Sequence, residues 1–379
     1  MTFTKKAQLE LGFNWIYMLV AGGVILLFFV GIVVKEKFKA EESLGQDLVR
    51  TMESLFTGAQ VSEKTKNVID IGGLADFTLY FDCEDQVTTY GLKETSARAE
   101  NIVDPIFSPK ELKATKMIAW SLPYNFPYKV ADMLFITSSN TKYFLYSGIT
   151  TDLFLKEFLK ATGTEFNTQQ LNSEKEYQTL DPGNNFQIRI VDFTGQLITP
   201  TKKTIPSNLQ KFDNAKVSAI VFSGKNTFDY YQKQGTIWTK KTVLPLRVIS
   251  LSDQRDAAKY AAIFAQDKEM YRCNMKKAFA RMKYVTDIYQ SKAKTVIDHY
   301  SQDKTKVDEF TKSTASGCLG YYTENEPNIQ SSLDSLSNKL TGCLNDPTFT
   351  LCERLIDAAD NVQKANQGLS EHGDCVALY

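Results

Sequence analysis

The chain has little histidine and no excess of charge of either sign. Its 379 residues contain two histidines, and 44 Lys and Arg balance 44 Asp and Glu. A dedicated nucleic-acid binder would carry a clear basic excess, so this class is excluded. Two imidazoles are a poor basis for a metal or general-base site, and we predict no metal and no cofactor.

Familiar catalytic motifs are also missing, since no HExxH, GxSxG or GxGxxG pattern occurs. Residues 223–227 imitate a phosphate loop, but Lys225 is followed by Asn226 rather than by Ser or Thr. Asp192 ends a predicted strand, where α/β enzymes keep functional carboxylates, although a strand-end turn explains it equally well. We therefore predict a protein that is not an enzyme.

The six cysteines contain no CxxC pair of the kind used for zinc or thioredoxin-like chemistry. All lie well after the N-terminal region, at Cys83, Cys273, Cys318, Cys343, Cys352 and Cys375. An even number favours three disulfides outside the cytoplasm, while six buried thiols in a cytoplasmic domain are the alternative. The sequence contains no Asn-x-Ser/Thr glycosylation sequon, so glycosylation gives no second indication of an external location.

One long apolar run stands out, from Leu11 to Val34, without a single charged residue. As a helix it spans roughly 36 Å, enough for a hydrocarbon core of about 30 Å. A cleaved signal peptide would need a shorter run and a small-x-small cleavage site. We predict a single transmembrane helix over 11–34 after a short leader, 1–10. Because lysines flank both ends, the external orientation of the large domain is predicted from the cysteines.

Residues 35–59 continue the helical pattern as an amphipathic stalk. Its apolar stripe recurs at spacings of mostly three and four: Phe38, Leu44, Leu48, Met52, Leu55 and Phe56. A long helix with an embedded first half and an amphipathic second half resembles a type IV pilin, and so does Glu10 after Lys5 and Lys6. A prepilin, however, is cleaved after a small residue and has its glutamate farther into the mature chain. Cleavage after Ala7 would make Glu10 only the third residue of the mature chain.

The region 70–251 predicts a mixed α/β sheet domain, because short apolar runs alternate with turn residues. The candidate strands are Phe77–Asp82, Thr115–Ser121, Met133–Thr137, Tyr143–Tyr146, Phe186–Phe193, Val217–Phe222, Thr236–Lys240 and Leu246–Leu251. A hairpin is expected at 138–140, and a helix over 150–161 would connect two strands in a crossover unit. The fold class predicted for the whole chain is α+β.

Residues 252–379 predict a helical module. A 3–4 alternation indicates one long helix from about 253 to 299, followed by helices at about 304–316, 328–341 and 350–366. The seam of the long helix fits packing within the module or a coiled coil with a partner chain. His299 lies on this seam and His372 in the tail, and packing explains both.

The last two helices also suggest disulfide partners. If they form an antiparallel hairpin, Cys343 and Cys352 flank its loop, and the tail returns Cys375 towards Cys318. Cys83 and Cys273 are then left over, and this pair would join the sheet domain to the helical module.

A dense aromatic stretch is the candidate recognition surface. Trp120, Tyr124, Phe126 and Tyr128 lie within nine residues, and exposed rings of this kind supply contact area at small entropy cost. Packing at a strand edge is the alternative. A protein partner of unknown identity is expected at this surface.

Three stretches resemble uncharacterised single-pass membrane proteins of small-genome archaea: KKAQLELGFNWIYMLVAGG, WSLPYNFPYKVADMLFITSSNTKYFLYS and YAAIFAQDKEMYRCNMKKAFARM. The resemblance covers most of the chain and implies membrane attachment, but it implies no activity. We expect a non-catalytic, extracytoplasmic interaction or structural protein of the cell envelope. The alternatives are a membrane-tethered enzyme with a carboxylate-based site and a pilin-like filament subunit.

Overall fold

The computed structural model describes residues 66–379, apart from 149–152, 225, 252–256, 304–308 and 347–349, and a discontinuous set of helical residues between 19 and 58. The strands in the described part are β1 (Lys66–Asp70), β2 (Leu79–Glu84), β3 (Val87–Leu92), β4 (Arg98–Asn101), β5 (Ile106–Phe107), β6 (Glu111–Leu112), β7 (Lys116–Asn125), β8 (Lys129–Ser138), β9 (Thr141–Tyr146), β10 (Asn167–Leu171), β11 (Gln187–Asp192), β12 (Val217–Ser223), β13 (Thr227–Gln234), β14 (Ile237–Lys240) and β15 (Leu246–Arg247). The helices are α1 (Leu153–Thr162), α2 (Glu174–Gln178), α3 (Ser207–Gln210), α4 (Ala257–Phe264), α5 (Lys268–Asp303), α6 (Glu309–Thr323), α7 (Ile329–Asn345) and α8 (Arg354–Glu371). The predicted combination of a mixed α/β region with a C-terminal helical module is confirmed.

The strands form three sheets. The largest has the order β10-β9-β11-β12-β13-β14, with β15 beside β13, and its first four strands are parallel. The second sheet has the order β1-β7-β8-β5. The third, which we call the small sheet, has the order β4-β3-β2-β6 and is antiparallel throughout. The predicted crossover is confirmed, because β9 and β11 are parallel neighbours and α1 lies between them in the chain.

The largest sheet is covered on both faces, which explains why its central strand is buried along its whole length. Ile188 and Ile190 belong to one apolar core, while Val191 belongs to the other. The core that contains Val191 is the larger of the two, and it is continuous with the helical module. Its centre is aromatic, with Trp120 of β7 packed edge-on against Tyr260 of α4.

The predicted hairpin at 138–140 is wrong. Strands β8 and β9 flank these residues, but they belong to different sheets and do not pair. The chain instead passes from one sheet to the next, and the hydroxyl of Thr137 lies 2.7 Å from that of Tyr143 across the step.

The predicted single helix over 253–299 is also wrong, because α4 ends at Phe264 and α5 begins at Lys268. The carboxylate of Asp267 accepts a hydrogen bond from the amide of Met270 at 2.9 Å and so caps α5. Gln266 bonds the amide of Lys110 and the carbonyl of Ala215, both at 2.9 Å. These tertiary bonds stabilise the break without a glycine or proline.

The seam of the long helix is covered by the chain itself. Met275, Ala278 and Met282 have no exposed surface, and α5 packs against β8, α6 and α7. Helices α7 and α8 pack against each other as the predicted hairpin. The described part of the seam therefore fits the packing interpretation.

The stalk packs on the small sheet through its apolar stripe. Met52 and Phe56 are buried as predicted, and the ring of Phe56 lies 5.2 Å from that of Tyr90 in β3. A Cβ atom at Gly45 would lie 2.8 Å from Ala97, so glycine allows the close approach there. The other predicted stripe residues, Phe38, Leu44, Leu48 and Leu55, lie outside the described residues.

Within the described residues, we find no helix that is both long enough and apolar enough to cross a bilayer. The leader 1–10 and much of the predicted span 11–34 lie outside the described residues. Of that span, the large apolar side chains that are described are all exposed: Leu19, Val20, Val24, Ile25, Leu26, Leu27, Phe28 and Val30.

Candidate functional site

A cleft opens at the amino ends of the parallel strands. Asn140, Phe186 and Lys216 directly precede β9, β11 and β12, and parallel pairing brings these three positions to one edge of the sheet. Segments from elsewhere in the chain add Lys113 and Lys211. The cleft has a volume of about 410 Å³, and we call it the basic cleft.

The basic cleft carries an excess of positive charge. Its lining contains three lysines and one carboxylate, that of Asp213, which lies 3.4 Å from the ammonium of Lys216. Lys113 donates to the backbone carbonyl of Asp76 at 3.1 Å. Among the described residues, neither Lys113 nor Lys211 forms an ion pair, so two ammonium charges are not neutralised by a carboxylate.

Two phenylalanine rings hold lysines in the wall. The ammonium of Lys216 lies 4.5 Å from the centroid of the Phe186 ring, and that of Lys211 lies 5.5 Å from the Phe212 ring. The negative face of an aromatic ring attracts a cation, and this limits where the ammonium groups move. The cations of the cleft are therefore partly positioned before any ligand arrives.

Asparagines build the remaining wall. The side chain of Asn140 donates to the carbonyl of Lys113 at 3.1 Å, while that of Asn185 donates to Pro182 and accepts from Asn167. The side-chain amide of Asn184 is exposed and makes no hydrogen bond within the described part of the chain. It is thus free to donate to or accept from a ligand beside the lysines.

The four predicted recognition residues are buried, which corrects the binding-surface prediction. Trp120, Tyr124, Phe126 and Tyr128 are all 4 % exposed or less. The hydroxyl of Tyr124 donates to the carbonyl of Ile249 at 2.8 Å, and that of Tyr128 bonds Thr286. Trp120 and Tyr128 anchor the second sheet to the helical module through Tyr260 and Thr286, and none of the four rings offers contact area to a partner.

Asp192 holds a turn. One carboxylate oxygen accepts from the amides of Thr194 and Gly195 and from the Thr194 hydroxyl, and the other accepts from Leu197 and Ile198. Burial raises the pKa of this carboxyl, and the hydrogen bonds from Thr194, Leu197 and Ile198 oppose that rise. Its bonding capacity is used within residues 192–198, and Lys225 lies outside the described residues.

The two histidines contact neighbouring side chains of the helical module. His299 lies 3.3 Å from the carboxylate of Asp303, and His372 packs edge-on against Tyr321. No group of three metal-ligating side chains occurs in the part of the chain that the structure describes.

All six cysteines are paired as the sequence predicted. Disulfides join Cys83 to Cys273, Cys318 to Cys375 and Cys343 to Cys352, with Cα separations of 5.9, 5.4 and 4.7 Å. The first connects β2 to α5, and the other two lie within the helical module. The prediction of three disulfides is confirmed.

A buried lysine lies beside the first disulfide. The ammonium of Lys277 donates to the hydroxyl of Thr88 at 2.6 Å and to the carbonyls of Asn101 and Asp104 at 2.7 and 3.2 Å. Burial lowers the pKa of Lys277 to about 7. Since every acceptor belongs to the small sheet or the loop after it, this lysine acts as a polar link from α5 to that sheet.

Sequence reasoning missed the basic cleft because it searched the carboxyl ends of the parallel strands. The local signal was the close spacing of Lys211, Phe212 and Lys216, which directly precedes a predicted strand. Lys113 could be added only by the fold. No protein-family model, no curated protein and no solved structure matches this chain.

Proposed function

We propose that this chain is a membrane-anchored, extracytoplasmic interaction protein of the cell envelope, with the basic cleft as its binding site. The observation that carries the proposal is the pairing of all six cysteines. Structural disulfides form and persist in oxidising compartments and are rare in the cytosol of mesophiles.

The anchor in this proposal is the apolar run 11–34. Its described members expose their apolar side chains, a state that water disfavours and lipid accepts. The stalk then connects the bilayer to the small sheet, on which Met52 and Phe56 pack. The N-terminus would lie in the cytoplasm and the folded region outside.

Protease treatment of intact, wall-stripped cells tests this topology. We expect the folded region to be digested without lysis, while a cytoplasmic protein in the same cells survives. In parallel, a maleimide mass tag applied in denaturant should add six labels only after reduction. Digestion only after lysis, or labelling without reductant, would contradict the proposal.

A pilin-like filament subunit is the second candidate, and one observation favours it. An amphipathic helix after an apolar run packs on an antiparallel sheet through Val49, Met52 and Phe56. Mass spectrometry of the N-terminal peptide from cells separates the two functions. Cleavage that leaves the mature chain starting at or before Gln8 supports a pilin-like subunit, and an intact N-terminus supports the simple anchor.

A further inference from the structure

We propose that the basic cleft binds an acidic saccharide, with one or two sugar rings that carry a carboxylate, phosphate or sulfate group. The inference rests on the proposed function only in its choice of a saccharide, because an envelope protein meets acidic glycans. Its other steps depend on the charge, size and chemistry of the cleft.

The charge of the cleft selects an anion. Three ammonium groups and one carboxylate line a concave surface, which leaves two positive charges in excess. Concave walls of low dielectric focus such a field and raise the local concentration of ligands of opposite charge. Lys113 and Lys211 are the two cations that make no ion pair with a described residue, so they are the groups assigned to the anion.

The size of the cleft indicates more than a free inorganic ion. Its volume of about 410 Å³ lies within the range of sites that hold small organic ligands, roughly 300–1,000 Å³. A bare phosphate would fill only a small part of this space and would leave the asparagines and rings without a contact. One or two sugar rings fill it better.

The lining has the mixed character that a sugar ring requires. Asn184 offers an exposed amide that both donates to and accepts from hydroxyl groups. The rings of Phe186 and Phe212 add apolar surface to the lining, and one face of each already holds the ammonium of Lys216 or Lys211, so a sugar would pack on the remaining ring surface. Asn140 and Asn185 are tied to the protein by their own hydrogen bonds, so the wall is largely formed before binding.

A second cavity, beside the stalk, provides a contrast. Its lining includes Arg50 and Arg98 but also Glu53, and it lies where the stalk meets β4. It has no aromatic ring in its lining. The combination of excess cations, amides and aromatic rings distinguishes the basic cleft from it.

The test uses the purified full-length chain in a non-ionic detergent, with binding measured by titration calorimetry at two salt concentrations. The probes are digalacturonate, glucose 6-phosphate, the neutral disaccharide maltose, ADP and inorganic phosphate. We expect both acidic sugars to bind more tightly than maltose, ADP and phosphate. Their affinity should fall as salt rises, because exposed charges are screened.

Variants connect the binding to the cleft. The pair Lys113→Gln and Lys211→Gln should weaken digalacturonate binding at least tenfold. The matched pair Lys203→Gln and Lys241→Gln removes the same charge from exposed lysines outside the cleft and should change the affinity less than twofold. If the first pair unfolds in urea more readily than the parent, Lys211→Gln alone gives the test, since Lys211 is exposed and forms no ion pair with a described residue.

Three results would overturn the proposal. They are digalacturonate binding that the cleft variant leaves unchanged, tighter binding of ADP, phosphate or maltose than of either acidic sugar, and no binding of acidic sugars at millimolar concentration. The protease experiment on cells tests the membrane topology and does not depend on ligand binding. A failed titration together with an external domain would therefore reject the saccharide and leave the proposed location standing.

Discussion

The buried lysine of α5 predicts an unusual dependence of stability on pH. Lys277 has an ordinary pKa of 10.5 in the unfolded chain, and burial lowers it to about 7 in the folded protein. Between these values the unfolded chain holds a proton that the folded protein has released. The free energy of unfolding therefore rises with pH across this window, and this contribution is lost progressively as the pH falls from 10.5 to about 7.

The size of the effect follows from the window. One proton of difference changes the free energy of unfolding by about 1.36 kcal/mol for each pH unit. From pH 7, where the folded group is half protonated, to pH 9, the gain from Lys277 is about 2 kcal/mol. The three oxygen acceptors around its ammonium favour the charged form, so about 2 kcal/mol is the upper end.

Urea unfolding of the full-length chain at pH 7, 8 and 9 measures this rise, and Lys277→Met should abolish it. Lys276→Met is the matched control, because it removes the preceding and less buried lysine of the same helix. All six cysteines are paired, so no free thiolate reshuffles the disulfides at pH 9. Equal pH dependence in the parent and in Lys277→Met would refute the reasoning and would mean that the ammonium stays charged in the fold.

Two further predictions concern the disulfides and the turn at Asp192. Removing the Cys83–Cys273 bridge by double alanine substitution should lower the free energy of unfolding by about 5 kcal/mol in the chain-entropy model, because it closes a separation of 190 residues. The same change at Cys343–Cys352, with a separation of 9, should cost about 3 kcal/mol, and the reverse order in urea unfolding would contradict the model. Asp192→Ala should cost about 3 kcal/mol, because buried amides lose their acceptor, and it should leave acidic-sugar binding in calorimetry unchanged. An unchanged urea midpoint would argue against its role in the turn.

Strands with strong apolar runs could be predicted from the sequence, while polar strands such as β4 and β10 could not. The run at β12 is largely apolar on both faces, and β11 carries Ile188, Ile190 and Val191 between its polar residues, so both runs give a signal without any partner. Strand β13 was missed because Asp229 and Lys233 interrupt its apolar pattern. In the fold, Asp229 forms an ion pair with Lys240, and the ammonium of Lys233 donates to the side chain of Asn214. Both buried polar groups therefore have partners.

The aromatic stretch and the helix break show where local reasoning fails. Nothing near Trp120 in the sequence indicates that Tyr260, 140 residues later, covers it. Likewise, Gln266 ends α4 through partners at residues 110 and 215. Both features depend on contacts between distant parts of the chain, which periodicity and propensity do not contain. Two of the cysteine pairs were predictable because an antiparallel hairpin fixes which ends meet, and the third pair, Cys83–Cys273, followed by elimination.

The small sheet connects the stalk to the basic cleft. The stalk meets it through the contact of Phe56 with Tyr90 in β3, and β3 pairs with β2, which pairs with β6. The carbonyl of Glu111 in β6 accepts from the side chain of Gln187 at 2.6 Å, at the amino end of β11. Lys113 follows β6 directly and enters the lining of the cleft. Since the same sheet carries the stalk and places one of the two cations assigned to the anion, the orientation of the cleft relative to the stalk follows from strand pairing.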